Sequence, residues 1–442
     1  MMRTLAALLL VALSPLPLIA QPSPIRLTLA DAIARGFDTS HRLAEVRARE
    51  QGALAAVRGA HLADRPIVTA SAGYMRTNHV TEFAFGQGSA RTVVYPDIPD
   101  NVVSRVSFQW PIYTSGRVDA LERAASAEAL AVGADIETTR ADLRLEIVRA
   151  YWATATAREA VRVLEESTAR ADAQLRDARQ RFAVGLVPPN EVSSLEVQRS
   201  REQAQLIEAS NLRESTLVDL RRLIGADPET VVELADSLDQ AGASGAPGAS
   251  GAGALVQEAL AQRPERKALT LRLGGVEARE QAAMTANKPT VAVGGGVDYA
   301  NPNSRIFLRK REWQESWDLS VNVSWPFFDS GRTKAQVAEA AAAATATRER
   351  LAEFETVVAA DIRQRLLDLD SSLALVKATS DAVRGAAEAR RVVGDRFAAG
   401  VATSTDVVVA QVAMLETELA RTRSLAGVRL AEARLHRSLG RP

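Results

Sequence analysis

Residues that could carry chemistry are few in this chain of 442 residues. Its four histidines share no spacing, cysteine is absent, and no Ser-His-Asp or metal-ligand cluster stands out. This pattern argues against an enzyme and predicts neither a cofactor nor a bound metal. The formal net charge is zero, from 54 basic and 54 acidic residues, which argues against nucleic acid as a partner because nucleic-acid binders normally carry a basic surplus.

The most suggestive charged residues lie in two matching turns. Arg-Phe-x-x-Gly occupies residues 181–185 and 396–400, and an acid follows each glycine by six residues, Glu191 and Asp406. The glycines suit the left-handed residue that ends a helix, and Thr403 is spaced from Asp406 as in a capping box. An acid in the first turn of a helix stabilises that helix by about 0.3–1 kcal/mol, which is a structural role that needs no ligand.

A second motif recurs at the same offset as the turns. Residues 110–117, WPIYTSGR, reappear as residues 325–332, WPFFDSGR (325 − 110 = 215). A constant offset predicts two internal repeats, residues 21–225 and 255–442. Residues 226–254 lie between them, and their stretch 241–254 of Gly, Ala, Ser and one Pro predicts a flexible linker.

Residues 1–20 have the pattern of a secretory signal peptide. Arg3 supplies the positive start, an apolar run follows, and Ala20 suits the position before cleavage. The alternative is an apolar N-terminal anchor.

Each repeat is predicted as helix, strand, strand, long helix, turn and return helix. The leading helices are expected from Leu29 to about Leu62 and from Leu255 to about Ala286. The β-hairpins are expected at 66–113 and 289–328, and the turns, called tips below, at 181–192 and 396–407. No proline interrupts 116–185 or 331–400, so each long helix is predicted to reach about 100 Å.

Alternation of apolar and polar residues is strict from Trp317 to Phe327, which puts the apolar side chains on one face of a strand. One interpretation is a half-buried sheet on a helix layer; the other is a membrane β-barrel wall with its polar face toward a lumen. Four strands cannot close a barrel, since the smallest bacterial membrane barrels have about 8. In the second interpretation several chains share one barrel, with eight strands from two chains or twelve from three. The triple glycine 294–296 within the preceding strand is predicted to ease bending.

The order of elements, the doubled Trp-Pro-x-x-x-Ser-Gly-Arg motif and the doubled Arg-Phe-x-x-Gly turn resemble the TolC-type outer membrane efflux protein family over essentially the whole mature chain. The resemblance implies an α+β membrane protein, a homotrimer with a 12-stranded β-barrel, four strands per chain, continued by a long α-helical coiled-coil barrel. It implies contact with outer membrane lipid of a Gram-negative bacterium, a large periplasmic portion, and two partners, a periplasmic adaptor (membrane fusion protein) and an inner-membrane pump. The implied function is the exit duct of a tripartite efflux or type I secretion system, with drugs, metals and proteins all open as cargo.

The resemblance also assigns residues to sites. The adaptor-contact tip comprises Val184, Gly185, Leu186, Ala399, Gly400 and Val401. The periplasmic pore entrance comprises Glu191 and Asp406, six acids in a trimer. The strand–helix junctions comprise Trp110, Pro111, Gly116, Arg117, Trp325, Pro326, Gly331 and Arg332. For the tip, the structural alternative is that these are C-cap residues.

The chain departs from the family pattern around the entrance. Phe397, Ala402 and Val409 stand where TolC carries groups that tie the closed state or add an acid, so the closing network is expected to differ. A non-channel periplasmic coiled-coil spacer is the alternative function. It accounts for the helices but not for four alternating, aromatic-edged strands.

Overall fold

The computed structural model describes residues 25–239 and 251–441. The predicted signal peptide at 1–20 and residues 241–250 of the predicted linker lie outside the described residues. The linker prediction extended to Ala254, whereas the structure begins a helix at Ala252. The chain combines long helices with a small sheet, as the α+β prediction requires.

Eight α-helices lie in the described ranges: α1 Leu29–Thr39, α2 His41–His61, α3 Arg117–Ala183, α4 Pro189–Leu223, α5 Ala252–Gln262, α6 Pro264–Ala283, α7 Arg332–Ala398 and α8 Ser404–Leu439. Helices α3 and α7 each have 67 residues. Their bounds keep the offset seen in the motifs (332 − 117 = 215). Both are free of proline, which would remove a helical hydrogen bond and clash with the preceding turn.

Each predicted leading helix is two helices, so the prediction of single stretches was wrong. The first breaks at Ser40, which is extended at φ −69° and ψ 113° between α1 and α2. The second breaks at Arg263, extended at φ −64° and ψ 123°, immediately before Pro264. A residue before proline is driven out of the helical region by the proline ring, and the proline then starts α6 at its first position.

The main sheet has four antiparallel strands in the order β2-β5-β7-β8. The strands are β2 Ile67–Arg76, β5 Asp100–Tyr113, β7 Thr290–Asn301 and β8 Gln314–Ser324. Strand β8 stops three residues before the predicted end at Phe327, because its partner β7 begins at Thr290, which pairs with Ser324. The outer edges of β2 and β8 pair with no other strand within residues 25–239 and 251–441.

Two further strand pairs were not predicted. Strand β1, Ile25–Leu27, pairs in parallel with β6, Val232–Leu234. Strand β3, Phe83–Phe85, pairs antiparallel with β4, Thr92–Tyr95. All four strands have only three or four residues, too few for alternation to be recognised in a sequence.

The main sheet has one apolar and one mostly polar face. Val321 lies opposite Val293, and Trp317 lies opposite Val297. On the other face Ser320 lies opposite Gly294. The predicted segregation of apolar and polar side chains on β8 is therefore confirmed from Trp317 to Ser324.

The chain divides into two compact units, and each takes segments from both predicted repeats. Among the described residues, the first comprises 25–40, 143–239 and 368–433. In its core the Tyr151 hydroxyl lies 3.1 Å from the Leu27 carbonyl oxygen and 2.9 Å from an Asp236 carboxylate oxygen. Burial raises the pKa of Tyr151 to about 12, so this hydroxyl stays protonated.

The second unit comprises, among the described residues, 41–142, 251–367 and 434–441, and it contains the main sheet. Its helices are joined by ion pairs: Arg437 lies 2.5 Å from Glu265 and 2.7 Å from Asp142. Among the described residues, no helix combines the length and apolar character that crossing a membrane requires.

Candidate functional site

The first tip joins α3 to α4 through residues 184–188. Gly185 adopts φ +76°, and its amide donates to the carbonyl three residues back at 2.9 Å. The Leu186 amide donates to the Arg181 carbonyl, also at 2.9 Å. This pair of bonds is a Schellman cap, as the glycine predicted, and it satisfies carbonyls that the helix end would leave unpaired. The cap leaves Val184 and Leu186 70% and 74% exposed.

The second tip joins α7 to α8 with the same cap. Gly400 adopts φ +77°, its amide donates to the carbonyl three residues back at 3.0 Å, and the Val401 amide donates to the Arg396 carbonyl at 2.9 Å. Val401 is exposed, like its counterpart Leu186. Both tips thus present an exposed, branched apolar side chain directly after a left-handed glycine.

The acids of the two tips differ in their bonding. The Asp406 amide donates to Thr403 Oγ1 at 3.3 Å, and the Thr403 amide donates to Asp406 Oδ2 at 2.9 Å, which confirms the predicted capping box. Hydrogen bonds from Thr403 lower the pKa of Asp406, so its carboxylate is charged at neutral pH. Helix α4 instead starts after Pro188, whose side chain makes no capping bond, and Glu191 lies in its first turn.

The two tips contact each other. The Arg181 guanidinium lies 5.1 Å from the centre of the Phe397 ring, within the range of a cation–π contact. Behind the tips, Leu175 and Leu195 belong to one buried cluster, against which Val408 packs. The structure therefore brings the two turns together through Arg181 and Phe397. Their contact with an adaptor and the pore role of the acids stay predictions.

The two strand–helix junctions share a bonding pattern that the sequence did not reveal. The Trp110 indole nitrogen donates to the Asp64 carbonyl at 2.9 Å, and the Trp325 indole nitrogen donates to the Asn287 carbonyl at 3.1 Å. In each case the acceptor lies in the segment just before the first strand of that pair. Both tryptophans thus tie the end of one strand to the start of its neighbour, and both remain exposed.

Each junction turns on two left-handed residues before its long helix. Gly116 has φ +81° and Gly331 has φ +89°, and the serine before each is also left-handed, at φ 54° and 56°. Arg117 and Arg332 then begin α3 and α7. Pro111 lies inside β5 next to a register shift, and Pro326 follows the end of β8. Proline has no backbone N–H to donate, and at a register shift or beyond the end of a strand this lack costs the sheet no regular hydrogen bond.

A cluster of four charged side chains lies on the polar face of the main sheet, and sequence reasoning missed it. Arg105 of β5 donates to Asp298 of β7 at 2.7 Å and to Asp318 of β8 at 2.8 Å. Arg305, from the β7–β8 loop, donates to Asp318 at 2.8 Å and lies 3.7 Å from Asp298. The sequence did contain a signal for this cluster: each of the strands β5, β7 and β8 carries one charged residue at a polar position of its alternation, and the structure shows that these strands are neighbours.

The triple glycine makes room for this packing. A Cβ on Gly296 would lie 2.9 Å from an Arg105 guanidinium nitrogen and 2.9 Å from the Val106 carbonyl oxygen. A Cβ on Gly295 would lie 2.9 Å from the Phe108 ring. The glycines therefore permit close approach of side chains from β5, a reason beyond the predicted ease of bending.

A protein-family model and a known protein each match this chain over most of its length. The protein-family model described as outer membrane efflux protein matches residues 37–226 and 255–441. Outer membrane protein TolC of Vibrio cholerae is 23% identical over 386 residues, which cover 86% of this chain and 83% of that protein.

Solved structures share the fold. The outer membrane protein VceC of Vibrio cholerae aligns with a TM-score of 0.77 at 19% identity, covering 93% of this chain and 96% of that one. The open state of the MtrE outer membrane channel of Neisseria gonorrhoeae aligns with a TM-score of 0.76 at 18% identity, covering 93% and 89%.

Proposed function

The chain belongs to the outer membrane efflux protein family, whose members are not enzymes, and we propose that it is an outer membrane channel. In this proposal it forms the exit duct of a tripartite efflux or type I secretion system. Substrates pass from an inner-membrane pump and a periplasmic adaptor to the exterior of a Gram-negative cell.

The observation that carries the proposal is the main sheet. Its apolar face, with Trp317, Leu319 and Val321, is largely exposed, whereas its opposite face carries serine, asparagine and the charged cluster. Lipid against the apolar face and water against the polar face would give the side chains of each face a favourable environment. Strands β7 and β8 have 12 and 11 residues, long enough to span a bilayer when tilted.

The unpaired edges of the sheet support a homotrimer. Backbone groups along a free edge find no hydrogen-bond partner in lipid, so a spanning sheet must close on itself. Three chains with four strands each would form a closed barrel of twelve. The duplication into two repeats would then place two strand pairs and two long helices per chain around the trimer axis.

Helices α3 and α7 support a periplasmic portion. At 1.5 Å per residue, 67 residues extend about 100 Å. In the trimer they and the shorter helices α4 and α8 would form a coiled-coil α-barrel that continues the channel away from the outer membrane.

The tips support docking of the adaptor. Val184, Leu186 and Val401 are exposed apolar side chains held in place by rigid caps, which suits contact with an apolar helical hairpin. In a trimer, Glu191 and Asp406 would contribute six acidic groups near the same end and would favour entry of cations.

The test is the native mass of the protein extracted in detergent from the outer membrane fraction. A mass of three chains is expected, together with ion-conducting pores after reconstitution into planar bilayers. A monomer recovered from the soluble periplasmic fraction would overturn the proposal and favour a coiled-coil spacer.

A further inference from the structure

The loop between β7 and β8, residues 302–313, folds back onto the polar face of the main sheet. The Asn303 side-chain amide donates to the Ser316 hydroxyl and to the Gln314 carbonyl, both at 3.0 Å. Two residues later, Arg305 reaches Asp318, which lies further along β8 on the same face. Asn303 is fully buried, so this part of the loop is packed against the sheet.

A second set of contacts holds the other half of the loop. Arg309 donates to the Tyr95 hydroxyl and to the Asn101 side chain, both at 3.2 Å, and its guanidinium lies over the Tyr95 ring. Arg311 lies 3.4 Å from Asp100, at the start of β5. The three arginines therefore hold the loop to four strands, β4, β5, β7 and β8. Between them Phe307 projects with 81% of its surface exposed.

The charges on the polar face cancel only while the loop is in this position. Asp298 and Asp318 contribute two negative charges, and Arg105 contributes one positive charge from the sheet itself. The second positive charge comes from Arg305 of the loop. Asp298 is only 12% exposed at its side chain, so an uncompensated charge there would be costly.

We propose that the β7–β8 loop is an arginine-held constriction inside the outer mouth of the channel, in which Arg305 neutralises the lumenal carboxylates and so sets ion selectivity. This inference rests on the proposed function, because the polar face of the sheet borders the lumen only if the apolar face borders lipid. With three chains, three loops fold inward, and their Phe307 side chains narrow the passage.

The proposal is tested by single-channel recording in planar bilayers with the full-length protein and KCl on both sides. Arg305→Ala removes three positive charges from the lumen of a trimer and loosens each loop by removing its contacts with Asp298 and Asp318, while the contacts of Arg309 and Arg311 remain. Removal of three charges about one Debye length from the passing ions raises the local cation concentration roughly twofold and lowers the local anion concentration roughly twofold at 0.1 M salt, so the cation-to-anion permeability ratio is expected to rise roughly fourfold. The conductance is expected to rise as well.

Arg311→Ala is the matched control. It removes the same charge from the same loop, but its partner Asp100 lies at the start of β5, away from the cluster. Its permeability ratio is expected to equal that of the wild type. Arg305→Lys retains the charge and is expected to retain the ratio, while its single ammonium holds the loop less firmly than a guanidinium fork.

Arg305→Gln covers the case in which the alanine variant fails to assemble, because glutamine can still donate to Asp318 while removing the charge. Pores with an unchanged ratio in Arg305→Ala or, failing assembly, Arg305→Gln would overturn this inference alone. An equal shift of the permeability ratio in Arg311→Ala would overturn the inference too, because the ratio would then depend on any charge at the mouth and not on Arg305 in particular. A wild type that forms no pores would instead overturn the proposed function, and the inference with it.

Discussion

The substitution Val321→Arg tests whether the apolar face of the main sheet contacts lipid or water. Val321 lies four residues from Trp317 and four from Trp325 along the apolar face. A strand rises about 3.4 Å per residue, and a tilt near 45° reduces this to about 2.4 Å of depth, so Val321 would lie about 10 Å from either aromatic. Within an apolar band about 25 Å tall, that is close to the bilayer midplane.

The expected cost follows from that depth. An arginine facing lipid near the midplane costs about 2–4 kcal/mol per chain, and a trimer carries it three times, for about 6–12 kcal/mol. This is comparable with the whole stability of many proteins, about 5–15 kcal/mol. Val321 is 65% exposed in the protomer, so in water the same substitution would cost no more than about 0.5 kcal/mol.

The assay is the yield of trimer in the outer membrane fraction, followed by urea unfolding in lipid vesicles. Asn322→Arg is the control, because it places the same charge one residue away on the polar face. The Val321 variant is expected to lose nearly all trimer and the Asn322 variant to keep most of it. Equal yields from the two variants would refute the assignment of the faces.

Two further predictions concern the sheet and the tip. Gly296→Ala is expected to destabilise the sheet by about 1–3 kcal/mol, because its Cβ would come within 2.9 Å of a guanidinium and a carbonyl of β5. Gly73→Ala, with open space around its Cβ, is the control in the same unfolding measurement, and an equal loss from both would contradict the packing argument. At the second tip, hydrogen bonds from Thr403 hold the pKa of Asp406 below its ordinary value, so its stabilisation is present above that ordinary value and is lost as the pH falls through the lowered one. Amide hydrogen exchange at the start of α8 should therefore accelerate in acid beyond the intrinsic rate change, and Asp406→Asn should abolish this extra dependence.

Local signals predicted most of the elements because the residues concerned act locally. A left-handed glycine ends a helix by its own backbone freedom, so both tip caps could be predicted from Gly185 and Gly400. Alternation likewise predicted β8, because side chains on successive residues point to opposite faces of a strand. The break at Arg263 also had a local signal in Pro264, which the longer helical pattern concealed.

The charged cluster could not be predicted in the same way, because it depends on register. Arg105 meets Asp298 only since β5 and β7 pair with those two residues opposite each other. That pairing joins residues 193 positions apart in the chain. Arg305 adds a loop whose path no periodic pattern describes. A single sequence determines neither the register of β5 against β7 nor the path of this loop. A helix cap or an alternating strand, in contrast, can be recognised from the residues that form it.

The capping role of Asp406 and its proposed role at the pore entrance are compatible. Both bonds from Thr403, from its amide at 2.9 Å and its hydroxyl at 2.8 Å, go to Oδ2, which leaves Oδ1 available to an ion. The bonds also keep the carboxylate ionised and fix its rotamer, so its charge is held at one position. Glu191 starts its helix behind a proline and has no such box, so its side chain is less constrained. Within each chain the two equivalent acids therefore differ in rigidity, and Asp406 is the better placed of the two to hold a fixed charge at the entrance.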